Sequence, residues 1–196
     1  MPETSSMKNS LTAAIPSSFG EASVTAYKDE DTMAEHVLCV YGSLQETPIV
    51  RIHSECFTGD LLGSYRCDCG DQLKQSLALI KKEKNGILIY LRQEGRGIGL
   101  GEKLNAYLLQ DEGLDTIEAN KQLGHEADAR DYSVAVKMLK DCNIKQVRLI
   151  TNNPEKIKEL EQEGIKVVEI IKLDIQPNKH NQKYIETKKE KFLHKY

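Results

Sequence analysis

The stretch Asp71-Gln-Leu-Lys-Gln-Ser-Leu-Ala-Leu-Ile80-Lys-Lys-Glu-Lys84, then Asn85-Gly86, then Ile87-Leu-Ile-Tyr-Leu91, decides how the chain is built. Leu73, Leu77 and Ile80 recur at helical spacing, so Asp71–Lys84 predicts a helix with one apolar face. Asn85-Gly86 supplies its stop, and Ile87–Leu91 follows as a buried strand. Upstream, Ala22–Tyr27, Val37–Tyr41 and Ile49–His53 are short, β-branched or aromatic-rich runs separated by turn residues, which predicts strands. Downstream, Gly95–Gly101 has glycine at every second position and reads as a loop. Leu100, Leu104, Tyr107 and Leu108 then mark a helix ending near Gly113, and Ala135, Met138, Leu139 and Cys142 mark another. Val147–Thr151 and Ile165–Ile171 read as strands flanking a helix that Asn153-Pro154 opens, with proline at its first position. A last helix begins at about Gln182. Strand after strand, then alternating β and α, predicts an α/β fold of mixed α+β character: one mixed sheet with helices on its faces. Residues 1–18 read as a flexible lead and 19–196 as a single domain.

With 196 residues, 39% of them hydrophobic, the chain can bury a sizeable core and remain soluble. A formal charge of −3 argues against a general nucleic-acid or membrane-surface binder, so an anionic substrate would need local clusters of Arg and Lys. No segment approaches the ~20 apolar residues of a membrane span, and Met1–Phe19 has no apolar signal core, so the cytoplasm is the expected location. The tail from Lys179 to Tyr196 holds six Lys and two Glu, a surplus of +4, and reads as the solvated face of an amphipathic helix.

Five cysteines, unevenly spaced, make a poor disulfide framework. Cys56, Cys67 and Cys69 form C-x10-C-x-C, and soft thiolates in this pattern favour tetrahedral Zn²⁺. Three protein ligands leave a fourth position for water, the arrangement of a catalytic site. A structural zinc would recruit a fourth ligand, and His53 is the nearest candidate, but strand alternation sets it opposite Cys56. Three thiolates carry net negative charge, which weakens acidification of a bound water unless a cation stands close; Arg66 lies in the cluster, and Asp128-x-Arg130 is a further acid–base pair.

Two loops could hold phosphate. Arg92-Gln-Glu-Gly-Arg-Gly-Ile-Gly99 follows a strand and precedes a helix; its glycines let backbone N–H groups approach an anion, and Arg96 can pair with it bidentately. It is neither a P-loop nor a Rossmann fingerprint, and a plain tight turn reads equally well. Thr151-Asn-Asn-Pro-Glu-Lys156 runs from a strand end into a helix N-terminus, where Asn153 also fits as an ordinary cap. Arg51 and His53 are polar residues late in an otherwise apolar strand, beside Cys56.

These pieces, in order, carry a resemblance. Arg51-Ile-His-Ser-Glu-Cys-Phe-Thr-Gly-Asp60, Arg66-Cys-Asp-Cys-Gly70, Arg92-Gln-Glu-Gly-Arg96, Tyr107, Leu109-Gln-Asp111, Asp115-Thr116, Glu118-Ala-Asn120, Leu123-Gly124, Asp128-Ala-Arg-Asp131, Leu149-Ile-Thr-Asn-Asn-Pro154 and Tyr184-x-x-Thr187-Lys188 resemble GTP cyclohydrolase II of riboflavin biosynthesis over roughly residues 15–196. The resemblance implies Cys56, Cys67 and Cys69 as zinc ligands, one ion per chain. It implies GTP contacts from Arg51, Ile52, His53, Ser54, Glu55, Gln72, Glu94, Gly95, Arg96, Thr116, Thr151 and Lys156. Asp128 would be the proton acceptor, Arg130 the nucleophile toward the α-phosphate, and Tyr107 an active-site tyrosine. It further implies Mg²⁺ on the triphosphate, release of formate and pyrophosphate, and a homodimer.

Gly101-Glu102, Asn105 and Phe57 depart from the family pattern and leave open a paralogue that stops at an earlier product. His53-x-Glu55 also mimics half of a zinc deaminase signature, but Arg66-Cys-Asp-Cys69 lacks the Pro-Cys-x-x-Cys spacing of the other half. A non-catalytic GTP-binding module with a structural zinc is the remaining alternative, which Asp128, Arg130 and Tyr107 disfavour.

Overall fold

A computed structural model describes residues 11–126 and 128–193. Strands β1 (Thr12–Ser17), β2 (Gly20–Lys28), β3 (Glu35–Gly42), β4 (Ile49–Ser54), β5 (Asn85–Leu91), β6 (Gln146–Ile150) and β7 (Lys166–Ile171) form one sheet in the order β1-β2-β3-β5-β4-β6-β7. Helices α1 (Phe57–Asp60), α2 (Cys69–Glu83), α3 (Leu100–Asp111), α4 (Thr116–Gln122), α5 (Ser133–Asp141), α6 (Pro154–Gln162) and α7 (Gln182–Lys191) complete the fold, with a 3₁₀ turn at Glu94–Gly97. The mixed α/β sheet expected from the sequence is the one observed.

The sheet has two halves. β1, β2, β3 and β5 pair antiparallel, whereas β5, β4, β6 and β7 run parallel. Helix α2 crosses from β4 to β5 on one face, packing Leu77 and Ile80 against Ile49, Leu88 and Ile150. Helices α5 and α6 cover the other face, where Ala135, Met138, Leu139 and Leu160 meet Val50, Ile52, Ile87, Ile89, Val147 and Leu149. The crossovers that leave the adjacent strands β4 and β6, through α2 and α6, therefore lie on opposite faces. In such sheets a crevice opens beyond the carboxyl ends of the strands where the winding reverses.

Three local findings differ from the sequence reading. Residues 12–17, inside the expected lead, pair with β2 as an exposed edge strand, because backbone hydrogen bonds suffice there without burial; residues 1–10 of that lead lie outside the described residues. Helix α2 ends one residue before the Asn85-Gly86 stop, with Lys84 in the left-handed conformation. Gly86 serves packing instead: a Cβ there would stand 2.7 Å from Ile49 Cγ2, so the glycine lets β5 lie tight against β4. Helix α4, which hydrophobic periodicity does not reveal, is set by a capping box in which Asp115 and Glu118 each satisfy the other's backbone N–H.

Candidate active site

Cys56 follows β4 at the N-terminus of α1, and Cys67 and Cys69 flank the first residues of α2. Their sulfurs lie within 4.8 Å of one another, and no His, Asp or Glu among the described residues joins the group. The Cys56–Cys67 separation is 3.7 Å. Thiolates about 2.3 Å from a tetrahedral zinc stand about 3.8 Å apart, so this donor set fits that ion. Two glycines make the approach possible. A Cβ on Gly59 would lie 2.9 Å from Cys67 Sγ and 3.1 Å from Cys56 Sγ, and one on Gly70 would lie 2.3 Å from the Gly59 carbonyl oxygen.

The thiols share their protons unequally. Hydrogen bonds from Cys67 and Cys69 hold Cys56 far below the ordinary thiol range, and Lys103 adds to the effect. The same sharing pushes Cys67 up to about 11. Lys103 Nζ donates to Cys56 Sγ at 3.1 Å and to Glu94 Oε1 at 2.8 Å. The cation beside the thiolates is therefore Lys103. Arg66, the candidate named by proximity in sequence, lies over the Tyr107 ring at 4.4 Å and pairs with Asp111.

Alternation along β4 turns Arg51 and His53 toward the α2 face, while Ile52 points into the opposite core. Arg51 Nη2 donates to Gln72 Oε1 at 2.6 Å. His53 stacks on its cross-strand neighbour Tyr90, and its Nε2 contacts the Asp60 carboxylate at 3.0 Å. Burial lowers the His53 pKa against the pull of Asp60. Asp60 in turn accepts from the Cys56 backbone N–H at 3.0 Å and from the Tyr90 hydroxyl at 2.9 Å. His53 does not join the three cysteines as a possible metal donor, which removes the geometric basis of the deaminase reading.

Further cations line the same cleft. Gly95 and Arg96 both have positive φ, 63° and 62°, a turn that glycine adopts freely and Arg96 only under constraint. The Arg96 guanidinium lies 4.4 Å over the Phe192 ring, and its Nη1 is buried with no hydrogen-bond partner among the described residues, as is Arg51 Nε. Lys156 Nζ donates to the Ile52 carbonyl at 2.7 Å. Burial lowers its pKa well below the usual range, and repulsion from Arg51, Arg130 and Lys188 lowers it further. Arg130 Nε donates to Asp128 Oδ1 at 2.8 Å, and its Nη2 bonds the second oxygen. Burial opposes the Arg130 charge, but Tyr132 and Asp128 outweigh it and raise the pKa.

One cleft collects Arg51, His53, Ser54, Glu55, Gln72, Glu94, Gly95, Arg96, Tyr107, Thr116, Arg130, Thr151, Lys156 and the three cysteines. Two of the expected site residues are not among its lining. The Ile52 side chain is wholly buried, so its carbonyl alone faces the site, and Asp128 stands behind Arg130. Glu94 is engaged in scaffolding, accepting from the Phe57 and Gly95 N–H groups as well as Lys103. Thr151 Oγ1 accepts from Asn153 N–H, while Asn153 caps α6 as the sequence suggested. Lys103, Asp60 and Lys188 escaped the sequence reading. Lys103 carried one signal, since it falls at helical spacing with Ala106 and Gln110 on the face that meets the cleft.

The family model for GTP cyclohydrolase II matches residues 8–172. The chain is 50% identical over 185 residues to GTP cyclohydrolase-2 of Buchnera aphidicola, covering 93% of both proteins. It is likewise 50% identical to GTP cyclohydrolase-2 of Picrophilus torridus, covering 93% of this chain and 95% of the relative. Riboflavin biosynthesis protein RibBA of Chlorobium phaeovibrioides is 48% identical over 92% of this chain, which spans 44% of that longer protein. With a thiol trio at the switch point of its sheet and matches of this extent, the chain belongs to the GTP cyclohydrolase II family.

Proposed function

We propose that this chain is a zinc-dependent enzyme that opens the imidazole ring of GTP. It releases formate and pyrophosphate, yields 2,5-diamino-6-(5-phosphoribosylamino)pyrimidin-4(3H)-one, and serves the first step of riboflavin biosynthesis. The observation that carries the reading is one cleft lined both by the trio of thiols and by buried guanidinium donors, Arg51 Nε and Arg96 Nη1, that have no partner among the described residues. A buried donor without a partner is costly, and a bound oxyanion removes the cost.

When bound at the cysteines, zinc supplies Lewis-acid activation of a water at its open fourth position. Lys103 offsets the negative charge of the thiolates by its contact with Cys56. Arg51, Arg96 and Lys156 hold the Mg²⁺-bearing triphosphate, whose charge relieves the repulsion that depresses Lys156. Burial raises the Tyr107 pKa, so its phenol keeps its proton and can donate it during ring opening. Arg130, kept charged by Tyr132 and Asp128, acts as an electrostatic clamp on the α-phosphate rather than as a nucleophile. Asp128 stays ionised and fixes that guanidinium.

The departures at Gly101, Glu102 and Asn105 lie outside the cleft lining, and Glu102 turns to His125 at 3.2 Å. This favours the full reaction over an early stop. Leu61, Leu62 and Tyr65 after α1, and Leu104 and Leu108 on α3, are exposed apolar side chains that suit a homodimer. No described helix is long and apolar enough to cross a membrane, and the enzyme is assigned to the cytoplasm. Incubation with GTP and Mg²⁺ tests the reading: formate and pyrophosphate should appear in equal amounts with the pyrimidine. Zinc-replete protein that binds GTP and releases neither would make the chain a binding module.

A further inference from the structure

The lysine-rich tail is not simply a solvated face. Lys188, in α7, is buried, and its Nζ donates to Asp68 Oδ1 at 2.6 Å. Asp68 is fully buried and stands in sequence between Cys67 and Cys69. α7 meets the same turn a second time, where Asn181 Nδ2 lies 3.5 Å from the Cys67 carbonyl oxygen. The Tyr184 ring packs under the Lys188 ammonium at 4.6 Å. The family model stops at residue 172, short of this helix.

From Asp68 the polar contacts continue without a break. Gln72 Nε2 donates to Asp68 Oδ2 at 2.5 Å, Arg51 Nη2 donates to Gln72 Oε1 at 2.6 Å, and Arg51 Nη2 reaches His53 Nδ1 at 3.4 Å. His53 then contacts Asp60, which holds the Cys56 backbone N–H. One end of this chain sets the Cys67–Cys69 turn and the other sets Cys56. A buried carboxylate needs a cation beside it, and Lys188 stands within hydrogen-bond reach of Asp68.

We infer that Lys188 is a positioning residue for the three-cysteine site, acting through Asp68 to hold Cys67 and Cys69 in ligating geometry. The inference rests on the zinc reading above, and zinc content and GTP turnover of the unsubstituted protein test that reading separately. Groups that orient metal ligands typically change metal affinity or activity by about 10–100-fold when removed. Lys188→Met should therefore weaken zinc binding by about 10–100-fold in competition with a chromogenic chelator. Under zinc saturation, kcat should fall while KM for GTP changes by less than about threefold, since Lys188 acts on the metal turn more than on the substrate.

The decisive variant is Asp68→Asn with Lys188→Met, which removes the buried carboxylate together with the lysine it accepts from. It should bind zinc more tightly than Lys188→Met alone by about tenfold. Unchanged zinc affinity in Lys188→Met with a raised KM would make Lys188 a substrate contact and overturn the inference. So would a double variant no better than the single one. If Lys188→Met does not fold, Lys188→Gln carries the same comparison, with thermal unfolding showing that the fold is intact.

Discussion

The antiparallel and parallel halves of the sheet share one core but not one role. β1, β2 and β3 place no side chain in the cleft, whereas the ends of β4, β5 and β6 and the segments that follow them supply its floor and walls. The cause is connectivity. The hairpin neighbours β1–β2 and β2–β3 are joined by short loops that occupy the strand ends, as at Asp29–Ala34, where the Asp29 N–H donates to the Ala34 carbonyl. Parallel strands all finish at the same edge, and between β4 and β6 the departing crossovers take opposite faces and leave a crevice. Polar residues there meet chemistry, and the same residues on β1 would meet only water.

The contrast can be broken most severely at the metal. Cys67→Ser should lose bound zinc and formate release together while thermal unfolding shows the fold largely kept; undiminished formate release would detach the chemistry from the thiols. Next comes Gly59→Ala, because its methyl would press on Cys67 and Cys56 sulfurs at 2.9 and 3.1 Å. Zinc affinity should drop by about 10–100-fold, read by chelator competition, and tight binding would show that the helix can shift to make room.

A smaller effect is expected at Asp128. Burial acts to raise its pKa, but the bonds from Arg130 win and lower it. A depressed folded pKa means the stabilisation is complete above the unfolded value of about 3.9 and is lost as pH falls through the folded one. The stability gap between wild type and Asp128→Asn, from urea unfolding, should be level between about pH 5 and 8 and close below about pH 4. A gap closing near neutrality would contradict the Arg130 pairing. Smallest of all, Ile15→Thr on exposed β1 should change stability by no more than about 0.5 kcal/mol and leave kcat and KM unaltered. A kinetic defect there would end the division between the halves.

Much of this was legible from residues alone where local chemistry is strong. The helix over Asp71–Lys84 and the cap at Asn153-Pro154 follow from short-range rules, and the structure bears them out within a residue or two. Legibility failed where a residue's meaning depends on a distant partner. Leu104 and Leu108 revealed helix α3 by their apolar character, yet they stand exposed, while Lys103 of the same helix is buried. The tail lysines read as solvated by composition, but Lys188 finds a carboxylate in the fold.

By itself the sequence determined the cluster of three soft donors, the order of the core strands and longer helices, and the lack of a basic excess, because these depend on residue type and near spacing. Tertiary structure alone decided which cation meets the thiolates and which residue steadies their turn. Lys103 reaches Cys56 across 47 positions of chain, and Lys188 reaches Asp68 across 120. Charge pairing in a buried site is set by distance in space, and only the folded sheet with its crossovers brings those groups within a hydrogen bond of each other.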